Sequence, residues 1–394
     1  MEVRANRSRP IAAAGILLGG FVLLGGIFWC SLTEQSAATR DFIGYWAAGQ
    51  QIVHGASPYN ADEVLRLEKA VGLGTLQIKI TPSPPLGLAL VLPLGFLGAK
   101  AGLVFWMLVE LACLALALWM IWILEGKPPS RLHLFGFIFA PALACLMAGQ
   151  IGIFLLLGLT LFLLWRETRP FWAGAALLPM TLKPHLFLPV ALVLVLWVVL
   201  ERRLRIVAGL LAATALSFAL VLAFDPHAWS QYADLLHSNL MQDRFSPTLS
   251  AYLRWDIAPA DGWLEYLPTA LACLWAVLYF WSRRDRWDWV QHGMLVVLVG
   301  VMCAPYAWLT DEAVLLPAVL VAVYRARSTG RSLIPIALFA AVALVELYAD
   351  VRITSWYYTW TAPAWLAWYL YATHARKGRG RPGDEPMSDP LSAK

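Results

Sequence analysis

The chain has 394 residues, of which 60% are hydrophobic and only 14% charged, a composition too apolar for a soluble domain of this length. Its net charge of +5 comes from 30 Lys and Arg against 25 Asp and Glu, and the positives are spread over many short segments with no single basic face, which argues against nucleic-acid binding. Cys30, Cys113, Cys145, Cys273 and Cys303 fall in or at the ends of apolar runs without metal-ligand spacing, so neither a disulfide framework nor a cysteine metal site is expected.

Apolar spans alternate with short polar breaks along the whole chain. A crossing helix needs about 20 apolar residues, and spans are placed near 10–32, 100–124, 132–148, 151–165, 170–182, 186–200, 206–224, 264–282, 289–304, 312–324, 332–348 and 360–374. The fold class is therefore all-α, a polytopic membrane protein of about twelve transmembrane helices. It reads as one multi-pass domain over 1–375 and a disordered cytoplasmic tail at 376–394. Basic residues crowd every second break: Arg4 to Arg9, Lys127 and Arg131, Arg166 and Arg169, Arg202 to Arg205, Arg283 to Arg286, Arg325 to Arg331, and Arg376 to Arg381. By the positive-inside rule these breaks face the cytoplasm. Both termini are then inside, the location is the cell (inner) membrane, and the first span is a retained signal anchor. The intervening breaks hold Asp41, Gln150, Lys183-Pro184-His185, Asp225, Asp311 and Asp350, which places any chemistry on the outer side. Several spans are short, so the breaks at Gly149-Gln150 and Lys183-Pro184 are expected within the outer membrane boundary, covered by protein.

Two outer segments exceed an ordinary connection, roughly 33–99 and 225–263, and long loops in compact proteins are usually functional. In the first, residues 41–52 have helical spacing and read as an interfacial helix. After the turn at Gly55 to Asn60, residues 61–71 read as an amphipathic helix with Asp62, Glu63, Arg66, Glu68 and Lys69 on its solvent side. The apolar run 86–97 is too short to cross and reads as a half-inserted hairpin. In the second loop an amphipathic helix runs through Tyr232, Leu235, Leu236 and Leu240, with Arg244 and Arg254 beyond it, and Trp229, Trp255 and Trp263 read as headgroup-level aromatics.

Several motifs in this order carry a resemblance. Asp41-x-x-x-Tyr45, Gly55-x-x-Pro58-Tyr59, Ser83-Pro84-Pro85-Leu86 and Leu92-Pro93-Leu94 are followed by Gly149-Gln150, Ala173-Gly174, Leu182-Lys183-Pro184, Arg202-Arg203 and Ala304-Pro305-Tyr306-Ala307-Trp308 before Asp311. Together, over about 38–325, they resemble glycosyltransferase family 87, the polyprenyl-phosphate-sugar-dependent mannosyltransferases of the GT-C fold. The resemblance implies a GT-C-like membrane enzyme that moves a hexose, mannose by default, from a polyprenyl-phosphate carrier to a lipid or glycan acceptor on the extracytoplasmic side. It also implies that an acid in the first outer loop is the catalytic base, and Asp41 holds that position. Tyr45, Tyr59 and Gln150, within the matching motifs, become candidates for sugar or acceptor binding. The late loop lacks the histidines of the phosphatidylinositol-mannoside branch, so the acceptor of that branch is not carried over.

The chemistry can be argued from the residues as well. A sugar on a polyprenyl phosphate already has a good leaving group, so one carboxylate that takes the acceptor's proton is enough, whereas glycoside hydrolysis ordinarily needs a pair. The departing phosphate needs positive charge, for which Lys183 at an outer helix end is the first candidate and His185, Arg244 and Arg254 are the others. Tyr306, Trp308 and Asp311 at one outer end suggest a sugar platform. No Asp-x-Asp motif occurs, so no divalent metal, no sugar nucleotide and no other cofactor are expected. The partners expected are the lipid-linked donor, the acceptor and membrane lipids.

Each residue also has a plainer reading. Asp41 can be an exposed loop acid or the N-cap of the helix after it. Lys183 can snorkel to headgroups, Gln150 can satisfy backbone groups at the turn after Gly149, and Asp311 and Glu312 can cap a helix. His185 and His227 can be structural, and Glu110 and Glu346 inside apolar spans need a proton or a partner. A transporter or flippase of lipid-linked saccharides is the alternative class, but it would place ionisable groups at mid-membrane and carry internal repeats. A saccharide polymerase would rely on outer-loop arginines more than on one early acid.

Overall fold

The computed structural model describes residues 19–74, 78–80, 83–238, 246–257, 260–349 and 356–374, and among these every regular element is helical. Helices α1 (Gly19–Ser31), α2 (Glu34–Ala38), α3 (Phe42–Val53) and α4 (Ala61–Ala70) precede a helical run over Pro85–Phe96 that contains α5 (Leu88–Val91). Next come α6 (Ala99–Leu124), α7 (Ala140–Ala148), α8 (Gly152–Trp165), α9 (Pro170–Ala175), α10 (Pro184–Leu200) and α11 (Leu204–Phe224). The chain continues through α12 (Ala228–His237), α13 (Leu249–Tyr252), α14 (Leu267–Trp281), α15 (Met294–Met302), α16 (Leu316–Ser328), α17 (Ile334–Tyr348) and α18 (Thr361–Thr373). Residues 10–18 of the first span, Leu240, Arg244, Asp350 and the tail at 376–394 lie outside the described residues.

Among the described residues, three helical stretches are long and apolar enough to cross a membrane: Ala99–Leu124, Leu204–Phe224 and Gly262–Trp281. The surface of α11 leaves Leu204, Leu211 and Leu216 69%, 61% and 64% exposed, a burden of apolar area that suits lipid and not water. The other apolar helices are shorter, Gly152–Trp165 and Pro184–Leu200 among them, and local chemistry sets their ends. Gly149 closes α7 in the left-handed region at φ 70°, its N–H donating to the Cys145 carbonyl. Lys183 takes an extended φ of −130° before Pro184, which occupies the first position of α10, because the residue preceding a proline is excluded from the helical region while proline itself suits a helix start. Gln150 and Lys183 thus sit at helix breaks, and both are covered by protein, Gln150 fully and Lys183 largely.

Three expectations for the first long loop are corrected. Helix α3 is not interfacial: ten of its twelve residues, from Phe42 to Gly49 with Gln51 and Ile52, are buried. Its amides do not form a face for water either, since Gln50 donates to the carbonyls of Leu94, Gly95 and Leu97 and Gln51 is buried, and a helix otherwise apolar goes to the core. The run 85–96 is a single short helical rod and not a hairpin, and it lies against α3 at backbone contact. A Cβ on Gly49 would sit 2.5 Å from the Val91 carbonyl oxygen, and one on Gly95 would clash with that of Gly49. In α4, Asp62, Glu63, Arg66 and Lys69 are at least partly exposed, but Glu68 is buried beside Val64. What draws it inward is Lys79, a neighbour of Asp41. Of the acids inside apolar spans, Glu346 accepts from the indole N–H of Trp360 at 3.2 Å, and Glu110 is buried with the Cys145 sulfur 4.0 Å away. Trp229, Trp255 and Trp263 are exposed, as headgroup-level aromatics are.

Candidate active site

Asp41 stands at the first turn of α3 but does not cap it: its side chain makes no capping hydrogen bond. Its carboxylate is held from two sides instead. Oδ2 accepts from Gln150 Nε2 at 2.8 Å, and Oδ1 lies 3.4 Å from Lys79 Nζ. The Gln150 amide oxygen in turn accepts from the Tyr45 hydroxyl at 2.9 Å, so the side-chain amide of Gln150 is engaged by side chains and not by the backbone of the turn. Tyr45 stacks on Trp106 with ring centroids 5.7 Å apart, and the Trp106 indole donates to the Gly149 carbonyl at 3.1 Å. Arg40 anchors the same corner, donating to the carbonyls of Ser36 and Met147.

A second cluster forms around the other break. Lys183 Nζ donates to Asp311 Oδ1, and Asp311 Oδ2 accepts the backbone N–H of Trp308 at 3.1 Å. Two residues on, the His185 ring stacks on Tyr306 with centroids 3.8 Å apart. The 306–311 stretch therefore meets the Lys183-Pro184-His185 break twice. Lys183 is engaged with Asp311 rather than snorkelling into headgroups, and Asp311 combines a backbone cap with an ion pair. Glu312 points elsewhere, accepting from Thr361 Oγ1 at 2.6 Å and Trp365 Nε1 at 2.9 Å.

The Gly149 to Gly152 segment joins the two clusters. A Cβ on Gly149 would stand 2.7 Å from Phe42 Cβ, next to Asp41, and one on Gly152 would stand 2.5 Å from the Thr310 carbonyl oxygen, next to Asp311. Three residues of chain span at most about 10 Å, so the two contacts are close neighbours. Tyr45 senses both acids. Burial above all, then the carboxylates of Asp41 and Asp311, push its phenol well above the ordinary value of 10.0, which makes it a hydrogen-bond donor. Tyr45, Ser83, Gly87, Leu88, Ile151 and Leu182 line one small cleft between the Asp41 cluster and the residue preceding Lys183.

The sequence model of glycosyltransferase family 87 matches residues 83–349. The chain belongs to glycosyltransferase family 87. Neither a curated protein nor a solved structure gives a match. The match takes in Gln150, Lys183, His185, Arg254, Tyr306, Trp308 and Asp311 of the transferase, whereas Asp41, Tyr45 and Tyr59 precede it.

The remaining candidates are distributed as follows. Tyr59 is buried, donates to the Ser83 carbonyl at 2.9 Å and packs on Tyr232 at 5.4 Å, so it braces one wall of the cleft. Arg254 is ion-paired with Glu265 and lies over the Trp255 ring at 5.0 Å, partners that belong to its own stretch of chain and to neither cluster. Arg244 lies outside the described residues. Sequence reasoning missed Lys79 and the true place of Glu68. Lys79 Nζ also donates to the Thr39 carbonyl at 2.9 Å, while its backbone N–H is 3.2 Å from both oxygens of Glu68. Burial raises Glu68 to about 7 against the pull of Lys79. A single cation flanked by Ile78 and Ile80, in a loop otherwise read as polar, was the available signal.

Proposed function

We propose that this transferase moves a hexose, mannose by default, from a polyprenyl-phosphate carrier to a lipid or glycan acceptor on the extracytoplasmic side, with Asp41 as general base. The observation that carries the reading is a partly exposed carboxylate, pre-oriented by Gln150 and Lys79, which the short Gly149–Gly152 segment brings near the Lys183–Asp311 pair. In the reaction, an acceptor hydroxyl gives its proton to Asp41 as its oxygen attacks the anomeric carbon. The bond from that carbon to the phosphate oxygen breaks, and its electron pair leaves with the polyprenyl phosphate. Lys183, fixed by Asp311, meets the charge that develops there, and His185 on Tyr306 forms the adjoining wall. One displacement with one carboxylate inverts the anomeric centre. Without an Asp-x-Asp motif the mechanism is read as metal-independent.

The same reading takes the short apolar helices as parts of about twelve crossings with both termini cytoplasmic. A reporter fused after Arg203 or Arg284 is expected in the cytoplasm, and one at Ser57 or Ser238 outside. A cytoplasmic reporter at Ser57 would remove Asp41 from the proposed side. The chemical test is transfer by the full-length protein in detergent, using polyprenyl-phosphate mannose, glucose and galactose with a total membrane lipid extract. Asn is nearly isosteric with Asp and cannot take the proton, so Asp41→Asn should fold normally and lose about a hundredfold or more in rate. Asp41→Glu displaces the carboxylate and should fall between the two. Wild-type turnover in the Asn variant would sink the mechanism.

A further inference from the structure

A general base must be aimed as well as present, and a carboxylate at a helix start has two side-chain torsions to lose. The Asp41 carboxylate is gripped on both oxygens by groups whose other ends run into the protein. On the Oδ2 side the order is Gln150, then Tyr45, then the Trp106 ring. Because the Tyr45 phenol holds its proton, it donates to Gln150 Oε1, and this leaves the amide NH2 no orientation but toward Asp41. On the Oδ1 side the order is Lys79, then Glu68, whose two oxygens both face the Lys79 backbone N–H from within the buried side of α4.

We propose that Tyr45–Gln150 and Glu68–Lys79 are the two arms of a clamp that orients Asp41 for proton transfer, an inference that rests on the base reading above. All four are positioning residues. Gln150 and Tyr45 thereby exchange a sugar-binding role for one behind the base, and Glu68 and Lys79 acquire a role that their place in a charged loop did not announce. The arms differ in stiffness. Gln150 makes a short bond from a buried position, whereas Lys79 is half-buried and its 3.4 Å contact is long for a charge-assisted hydrogen bond. The Lys79 arm is thus the one that can yield when an acceptor hydroxyl approaches Oδ1.

Coupling between mutations tests the clamp, read as transfer from polyprenyl-phosphate mannose to total membrane lipid by the full-length protein, with thermal midpoints recorded for each variant. Gln150→Leu and Lys79→Met should each lower kcat about ten- to hundredfold, the scale of a misplaced catalytic group, with the donor KM within about twofold. Lys79→Arg should recover most of the loss. Tyr45→Phe added to Gln150→Leu, and Glu68→Ala added to Lys79→Met, should cost nothing further, because each outer residue acts through the inner one. None should lower the residual rate of Asp41→Asn. A readout independent of substrate is acetylation of Lys79 by a water-soluble N-hydroxysuccinimide ester, followed by mass spectrometry, which should speed up several-fold in both Asp41→Asn and Glu68→Ala. Additive losses within an arm, or further loss on top of Asp41→Asn, would overturn the clamp, and so would unchanged Lys79 acetylation in both variants. Full activity of Asp41→Asn would instead strike the base reading, whereas an inactive Asp41→Asn beside a fully active Gln150→Leu would strike the clamp alone.

Discussion

The transferase carries two lysine–carboxylate pairs, Lys79–Asp41 and Lys183–Asp311, and they have the same charges but different access to water. Lys183 and Asp311 have 12% and 1% of their side chains exposed, whereas Lys79 and Asp41 have 29% and 30%. Removing a partner from a buried pair leaves a charge without solvent or counterion, so the Lys183–Asp311 pair is a fixed part of the framework that ties the α10 break to the 306–311 stretch. An open pair gives up little when it separates, because water replaces the lost contact. In the proposed mechanism Asp41 can therefore release Lys79 without disturbing the fold. The contrast teaches that the acid proposed to react is the one that is easier to unpair.

The largest expected effect breaks the buried member. Asp311→Asn strands the Lys183 ammonium and should cost about 3–5 kcal/mol of stability, seen as a large fall in the thermal midpoint in detergent. Asp41→Asn should cost no more than about 1 kcal/mol on the same assay. Equal losses would erase the distinction between the pairs. Next in size is the leaving-group charge: Lys183→Ala should reduce transfer about a hundredfold or more, the scale of removing one preorganised electrostatic donor, and Lys183→Arg should retain more activity because the charge survives in altered geometry. Similar rates in wild type and both variants at saturating donor would reduce Lys183 to a structural role.

A pH dependence sharpens the open side. Glu68, pushed up from its ordinary 4.5 to about 7, binds its proton more tightly in the folded than in the unfolded protein. The stability this lends is complete below about 4.5 and is lost as pH rises toward about 7. Glu68→Gln should remove that slope and, relative to wild type, gain stability above neutrality. A wild-type protein whose midpoint does not fall across this window, or a variant that keeps the same slope, would take Glu68 out of the argument.

Much of the site was legible because its residues stand where helices must stop. Gly149, with its left-handed backbone, and Pro184, which excludes Lys183 from the helix, are punctuation that a reader of sequence can see. Their partners were not visible. Gln150 reaches Asp41 across 109 residues and Lys183 reaches Asp311 across 128, and no periodicity within a window registers a contact of that range. Glu68 shows the same limit from the other side. Its place among Asp62, Glu63, Arg66 and Lys69 gave it a solvent face by pattern, but it is buried with both oxygens facing the backbone N–H of Lys79, a partner eleven residues away that the pattern within α4 does not register.

By itself the sequence determined the helical, membrane-embedded class, the position of the breaks and the membership in a glycosyltransferase family, because composition, proline and glycine act locally and need no partner to be felt. Tertiary structure alone decided that α3 is a core helix rather than a surface one, that Gln150 faces Asp41 instead of the backbone, and that Lys183 is buried against Asp311 while Lys79 stays open. Those outcomes depend on which surfaces meet once the helices pack. Burial and ion pairing are properties of two distant segments together, so neither segment carries them in its own residues.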